Sequence, residues 1–345
     1  MAEKEIIMNV SNINSMEIQK ASVKKVYPGI DFIKLICALL IVYTHTFCWD
    51  TGKFGIWIRD EISIIAVPFF FVASGYFYGI GIRNAQNKRK YFLHYCTRII
   101  KMYIIWTILS LPAAWFDLTL SHEEAGIWIK ILFLIRSFFF KGSVGVYWFL
   151  LALIYNSFIF YVVYMKKIEK ILYPLAVILF GVGVLYSASF LSGTLHEKII
   201  HLFFGGTNNF LNIGLFYMAI GYYLSDKVIK IKGTIAGGIC IALLVFQTFI
   251  NTALPFKFFH AFTAVALFVF AHQIECTMIR PFSKRIRKLS TAIYLEHFPF
   301  ILLFDFYLKR GTLLDFTVTL TFTILLYALI SKLLPEKWTN NTYGN

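Results

Sequence analysis

Lys34 and His45 stand eleven residues apart in an apolar stretch, PGIDFIKLICALLIVYTHT. Eleven helical steps of about 100° return a side chain to nearly the same face, about 16 Å further along the axis. A helix here puts an ammonium near one end of a stripe and an imidazole well up the same stripe. Imidazole has an unperturbed pKa of about 6.5, so it exchanges protons near neutrality and suits a general base. Asp31 lies one turn before Lys34 and is placed to pair with it or to cap the helix. Two readings stand side by side: a functional pair, or a lysine that snorkels and a histidine that packs.

Other polar groups interrupt apolar runs in the same way. An ionisable side chain at the centre of a membrane span costs roughly 2.5–3.5 kcal/mol on insertion scales, so each needs a reason. The run STAIYLEHFPFILLFDF carries Ser290, Tyr294, Glu296, His297 and Asp305. Tyr294 and His297 are one turn apart and share a helix face, while Glu296 is turned by about 100° from His297. That many ionisable groups in one run argue for a polar face turned into a bundle. His272 and Glu275 make a weaker pair one turn apart. In AVPFFFVASGYFYG, residues Pro68, Ser74, Gly75 and Gly79 either open backbone groups toward a cavity or let two helices pack closely. Arg98 and Lys101, one turn apart, either clamp a phosphate or mark a cytoplasmic helix end. Tyr147, Trp148 and Phe149 read as an interfacial aromatic belt. Cys37, Cys48, Cys96, Cys240 and Cys276 have no metal-ligand spacing and read as thiols among apolar neighbours. No metal constellation is evident.

The elements that hold these residues follow from composition. The 345-residue chain is 59% apolar and 15% charged, with 37 Phe and 20 Tyr and a mean hydropathy of +0.69. A soluble domain is about 45–50% apolar and about 25% charged, so the class is an all-α, polytopic membrane bundle. Spans of roughly 20 residues are expected near 30–48, 62–82, 99–116, 146–165, 171–190, 210–225, 233–250, 258–278, 291–308 and 316–334, ten in all. The run 127–140, with Lys130 and Arg136, is too short to cross and reads as an interfacial helix. The first 29 residues are polar and mixed, unlike a cleaved signal peptide, so the first span is expected to be uncleaved. The net charge of +15 comes from short basic runs between apolar stretches, not from one solvated face, which argues against nucleic acid as a partner. With both ends placed inside, 24 of the 33 Lys and Arg fall on the cytoplasmic side, the orientation the positive-inside rule favours. The expected division is a cytoplasmic tail 1–26, a membrane domain 27–334 and a cytoplasmic tail 335–345 in the cell membrane.

Taken together and in order, these segments resemble the acyltransferase-3 family of membrane proteins. Lys34-x10-His45 matches that family's Arg-x10-His pattern with Lys in place of Arg. Phe70-Phe71-Val72-Ala73-Ser74-Gly75 matches its Phe-Phe-x-x-Ser-Gly stretch, and Arg98-x-x-Lys101 its Arg-x-x-Arg element. Trp148-Phe149-Leu150 and Tyr294-Leu295-Glu296-His297 match its Trp-Phe-Leu and Tyr-Leu-x-His. The first two segments also resemble the membrane half of vancomycin-resistance serine racemases. The family resemblance implies transfer of an acyl group, acetyl by expectation, from acyl-CoA to a hydroxyl of an envelope glycan or lipid-linked sugar. His45 would be the catalytic base or relay, and Lys34, Arg98 and Lys101 would hold the phosphates of acyl-CoA, the donor substrate, with no bound cofactor. Asp31, Ser74, Trp148, Tyr294, Glu296 and His297 would line the cavity or meet the acceptor. The rival reading is a carrier of serine or another small polar solute, which also needs intramembrane ionisable groups.

Overall fold

A computed structural model describes residues 26–46, 52–190, 193–227, 229–253, 258–304 and 313–343. Cys48, Asp305 and nearly all of the expected N-terminal tail lie outside the described residues. Among the described residues the chain is helical and contains no strand. We number the helices α1 (Pro28–Thr46), α2 (Lys53–Asn84), α3 (Lys88–Ser121), α4 (Ile127–Arg136), α5 (Trp148–Lys166), α6 (Glu169–Ser187), α7 (Leu195–Phe204), α8 (Phe210–Leu224), α9 (Gly233–Ala253), α10 (His260–Gln273), α11 (Ser283–Phe304), α12 (Leu313–Leu333) and α13 (Glu336–Tyr343). Seven of these (α1, α2, α3, α5, α6, α9 and α12) are long and apolar enough to cross a membrane. α8 and α10 are shorter apolar helices, and α11 opens on the basic run SKRIRK. The protein is an all-α, multi-pass membrane bundle.

Two helices start earlier than hydropathy suggests. α3 begins at Lys88, where the Asn87 side chain accepts the amide N–H of Lys90 at 2.8 Å. The cap satisfies an orphan helix donor, so the helix forms through a basic run that a hydropathy window passes over. α2 begins at Lys53 and carries a π turn over Ile58–Ile62 and a 3₁₀ turn over Ser63–Ile65. The expected interfacial run forms α4 followed by a π turn at Ser137–Lys141. A second short helix, α7, was not anticipated; Thr194 caps it by accepting the Glu197 amide at 3.2 Å. Its sequence, LHEKIIHLFF, is too short and too polar to register as a span.

Close backbone contact explains the small residues of α2. A Cβ added at Gly75 would lie 2.1 Å from the Met218 carbonyl oxygen, and one at Gly221 would lie 1.9 Å from that of Val72. α2 and α8 are thus packed backbone to backbone, which only glycine allows. At one end of this pair Arg83 lies over the Tyr222 ring, 4.0 Å from its centroid, and hydrogen-bonds Ser225. α11 packs along α1. Tyr147 and Phe149 are buried and do not form an interfacial belt: the Tyr147 hydroxyl donates to Leu295 O at 2.9 Å and bonds Ser110 at 2.7 Å.

Beyond Pro335, residues 336–343 form a helix, α13, that packs back against α3, α11 and α12. Glu336 bonds Lys284, an interaction that holds the Glu336 carboxyl below its usual range. Further along, Lys288 donates to Thr339 at 3.3 Å and the Trp106 indole N–H to Thr342 O at 2.8 Å. Tyr343, 2% exposed, donates its hydroxyl to Glu296 Oε1 at 2.5 Å, and Glu296 is 1% exposed. Tyr343→Phe removes this donor while keeping the ring, leaving a buried carboxyl oxygen unsatisfied at a cost of about 1–3 kcal/mol. A lowered melting temperature of the purified protein in nanodiscs is the expected outcome, and an unchanged one would show that the bond contributes nothing.

Candidate active site

The helical repeat of α1 sets Lys34 toward one end of the bundle and His45 toward the other, as the spacing requires. His45 lies in the last described turn of α1 (Pro28–Thr46). Its ring is half-buried. The His297 ring is 5.4 Å away, tilted by 32°, and the Phe298 ring is 5.2 Å away, edge-on. His297 is fully buried. Its Nδ1 lies 2.9 Å from Ile293 O, which fixes the proton there and leaves Nε2 as an acceptor with no hydrogen-bond partner among the described residues.

His45 borders a cavity of about 650 Å³ at this end, with Thr44, Asp60, Ser63, Trp148 and Tyr294 also on its wall. Tyr294 is pinned there by a hydrogen bond to Val146 O. Trp148 packs against Phe71 at 5.6 Å. Beside them His260 Nε2 approaches Glu61 Oε2 at 3.4 Å and Asp60 O at 3.2 Å. The reading of the sequence missed His260, Glu61 and Asp60. The first follows an apolar loop and the other two precede a span, so no helical stripe connects them.

At the opposite end the cations gather on three helices. Asp31, 2% exposed, accepts both Nε and Nη2 of Arg287 at 3.0 Å each. This corrects the pairing of Asp31 with Lys34: the planar guanidinium fork of Arg287 matches a carboxylate in a way a lysine cannot. Lys34 lies over the Phe77 ring at 5.2 Å, and the charges of Asp31, Arg287 and Arg98 act on it. Arg98 lies over the Tyr95 ring at 5.4 Å. Lys101 is exposed.

α1 and α11 meet twice, Asp31 on Arg287 and His45 on His297, so they run parallel. Each carries a cation and, ten or eleven residues later, a histidine. Asp31 therefore lies at the far end from the cavity. Ser74, Glu296 and His297 do not line the cavity either; His297 is buried behind His45, and Glu296 turns toward Tyr343, as its 100° offset from His297 implies. A family model described as an acyltransferase domain, acyltransferase-3, matches residues 27–332.

The chain belongs to the acyltransferase-3 family. Its curated relatives include a serine/alanine racemase of Enterococcus gallinarum, 29% identical over 136 residues, which are 37% of this chain and 18% of the racemase. An amino-acid racemase of Enterococcus faecalis is 27% identical over 139 residues, again 37% of this chain and 18% of that protein. The chain thus matches about a fifth of the length of these relatives. No solved structure matches it. In this family member Arg287 is a site candidate that the sequence did not single out and that its contact with Asp31 identifies. It precedes His297 by ten residues, nearly repeating the Lys34–His45 interval.

Proposed function

We propose that this membrane acyltransferase moves an acyl group, acetyl by the family resemblance, from cytoplasmic acyl-CoA to a hydroxyl of an envelope glycan or lipid-linked sugar at the outer side. The observation that carries this reading is the position of His45 on the wall of a cavity of about 650 Å³, with Lys34 at the other end of its own helix. The cationic end faces the cytoplasm in the orientation that the positive-inside rule favours. Lys34 and Arg98 there suit the phosphates of the donor, beside an Arg287 whose fork is given to Asp31, and the reaction requires the extended pantetheine arm to reach from them to His45. An acceptor hydroxyl in the cavity gives its proton to His45 while its oxygen attacks the thioester carbonyl carbon. The carbon–sulfur bond breaks, an ester forms, and the CoA thiolate leaves and is protonated. The buried His297 ring packs behind His45 at 5.4 Å and positions it.

The test is release of free CoA thiol by the purified protein in nanodiscs, given acetyl-CoA and lipid-linked glycan. Acceptor-dependent release with acetyl appearing on the glycan is expected; an intact thioester alongside solute uptake would overturn the reading in favour of a carrier. The two basic residues of α3 should separate in the same assay. Arg98→Ala is expected to raise KM for acetyl-CoA severalfold and to flatten its dependence on salt, because ion pairing is screened. Lys101→Ala, on an exposed face, should change KM little. Equal effects would remove Arg98 from the donor site.

A further inference from the structure

A second cavity, of about 400 Å³, adjoins the His45 cavity and shares Gly145, Trp148, Thr207 and Asn208 with it. The two make one cleft with chemically different ends. Lys141, the last residue of the π turn after α4, and His201, in the last turn of α7, line the second part. The Lys141 stem lies along Gly205, where an added Cβ would come within 3.3 Å of Cε; the absence of a side chain at 205 leaves room for that stem. Thr207 and Asn208 add neutral hydrogen-bonding side chains, and among the described residues none that lines this part is acidic. The nearby Glu197 carboxylate is taken up by the Gly193 amide at 2.5 Å.

Two amphipathic helices flank this part of the cleft: the π turn that follows α4 supplies Lys141, and α7 supplies His201 and Phe204. α4 and α7 are tied together by Arg136 on Leu202 O at 3.3 Å and by the Phe140 and Phe203 rings at 5.2 Å. Both expose apolar side chains, Trp128 and Leu132 on α4 and Leu195 and Leu202 on α7. Helices of this kind lie in the plane of the lipid headgroups. A ligand that meets Lys141 beside this headgroup-level surface has the bilayer within reach for a lipid tail, and one held by an ammonium and neutral donors with no carboxylate on the wall carries negative charge.

We infer that the Lys141–His201 end of the cleft binds the anionic phosphate group of a lipid-linked acceptor, so that the attached sugar extends past Trp148 to His45. This rests on the acyl-transfer reading for the direction of the sugar but not for the binding itself. The probe is radiolabelled farnesyl diphosphate, measured on the full-length protein in nanodiscs of neutral phospholipid. Saturable binding is expected, weaker by about tenfold or more in Lys141→Glu, the size of one charge-assisted contact, and retained in Lys141→Arg. Farnesol should not compete, because it lacks the charge. Inorganic pyrophosphate should compete only weakly; competition equal to that of farnesyl diphosphate would assign the site to a free anion and overturn the lipid assignment. Equal affinity of wild type and Lys141→Glu would overturn the site itself. His45→Gln should bind the probe like wild type. Binding that survives in a protein without thiol release would retire the acyl-transfer reading and leave the anion site standing. Thiol release with charge-independent binding would do the reverse.

Discussion

Replacing His45 by Gln should leave a protein that inserts and accumulates like wild type and has lost acyl transfer by about 10²–10⁴-fold, the usual contribution of a positioned base. Gln keeps polar contacts and similar reach, so a histidine that only packs against His297 and Phe298 would be replaced at little cost. The amide does not accept a proton near neutral pH, so a base would not. Thiol release and glycan acylation, measured at matched protein levels, distinguish the two roles. Lys34→Arg should keep activity, since it restores the arginine of the family pattern. Near-normal acylation by His45→Gln would remove His45 from the mechanism and lift the carrier reading.

The second large effect is on folding. Substituting Leu at Gly75 or Gly221 should abolish the monodisperse protein peak on size-exclusion chromatography, and even Ala at Gly221 should reduce it strongly. The Cβ of any residue at 221 would meet the Val72 carbonyl oxygen at 1.9 Å, and one at 75 the Met218 carbonyl oxygen at 2.1 Å. Both obstacles are backbone atoms, so no rotamer change relieves them and the two helices must separate. The cost exceeds the about 1–3 kcal/mol of ordinary overpacking. Gly181, in α6, has open space where a Cβ would go, so Gly181→Ala is the control and should be neutral or mildly stabilising, by up to about 1 kcal/mol from helix propensity. Normal elution of Gly221→Leu would show that α2 and α8 are not held backbone to backbone.

The two readings that the sequence left open for Ser74-Gly75 are decided by this contact. Composition and spacing allow both a cavity-lining break and a close helix crossing; which one occurs depends on what lies opposite. Gly75 and Met218, like Val72 and Gly221, are far apart in the chain, so no local pattern reports their approach. The same reason hides the site residues that were missed. Asp60 from α2 and His260 from α10 reach the cavity, with Glu61 beside His260, and each looks alone like an isolated polar residue near a span end. Arg287 looked like one basic residue among several at the start of α11, and only Asp31, 256 positions away, picks it out.

What the chain determines by itself is what the helical repeat and solvent transfer determine. An apolar content of 59% cannot be kept in water, and in lipid the backbone must satisfy its own hydrogen bonds, so the class of fold follows directly. The interval between Lys34 and His45 is likewise local: 3.6 residues per turn place them on one stripe whatever surrounds α1. The offset of Glu296 from His297 on α11 is local in the same sense. Tertiary structure alone decides which side chains those stripes meet. It sets His297 against His45, gives Asp31 to a guanidinium in place of the neighbouring lysine, and folds the last helix back so that Tyr343 reaches Glu296. These contacts join segments with no shared periodicity, and they exist because packed helices must close their grooves and pair their buried polar groups, a condition on the whole bundle that no single stretch of sequence expresses.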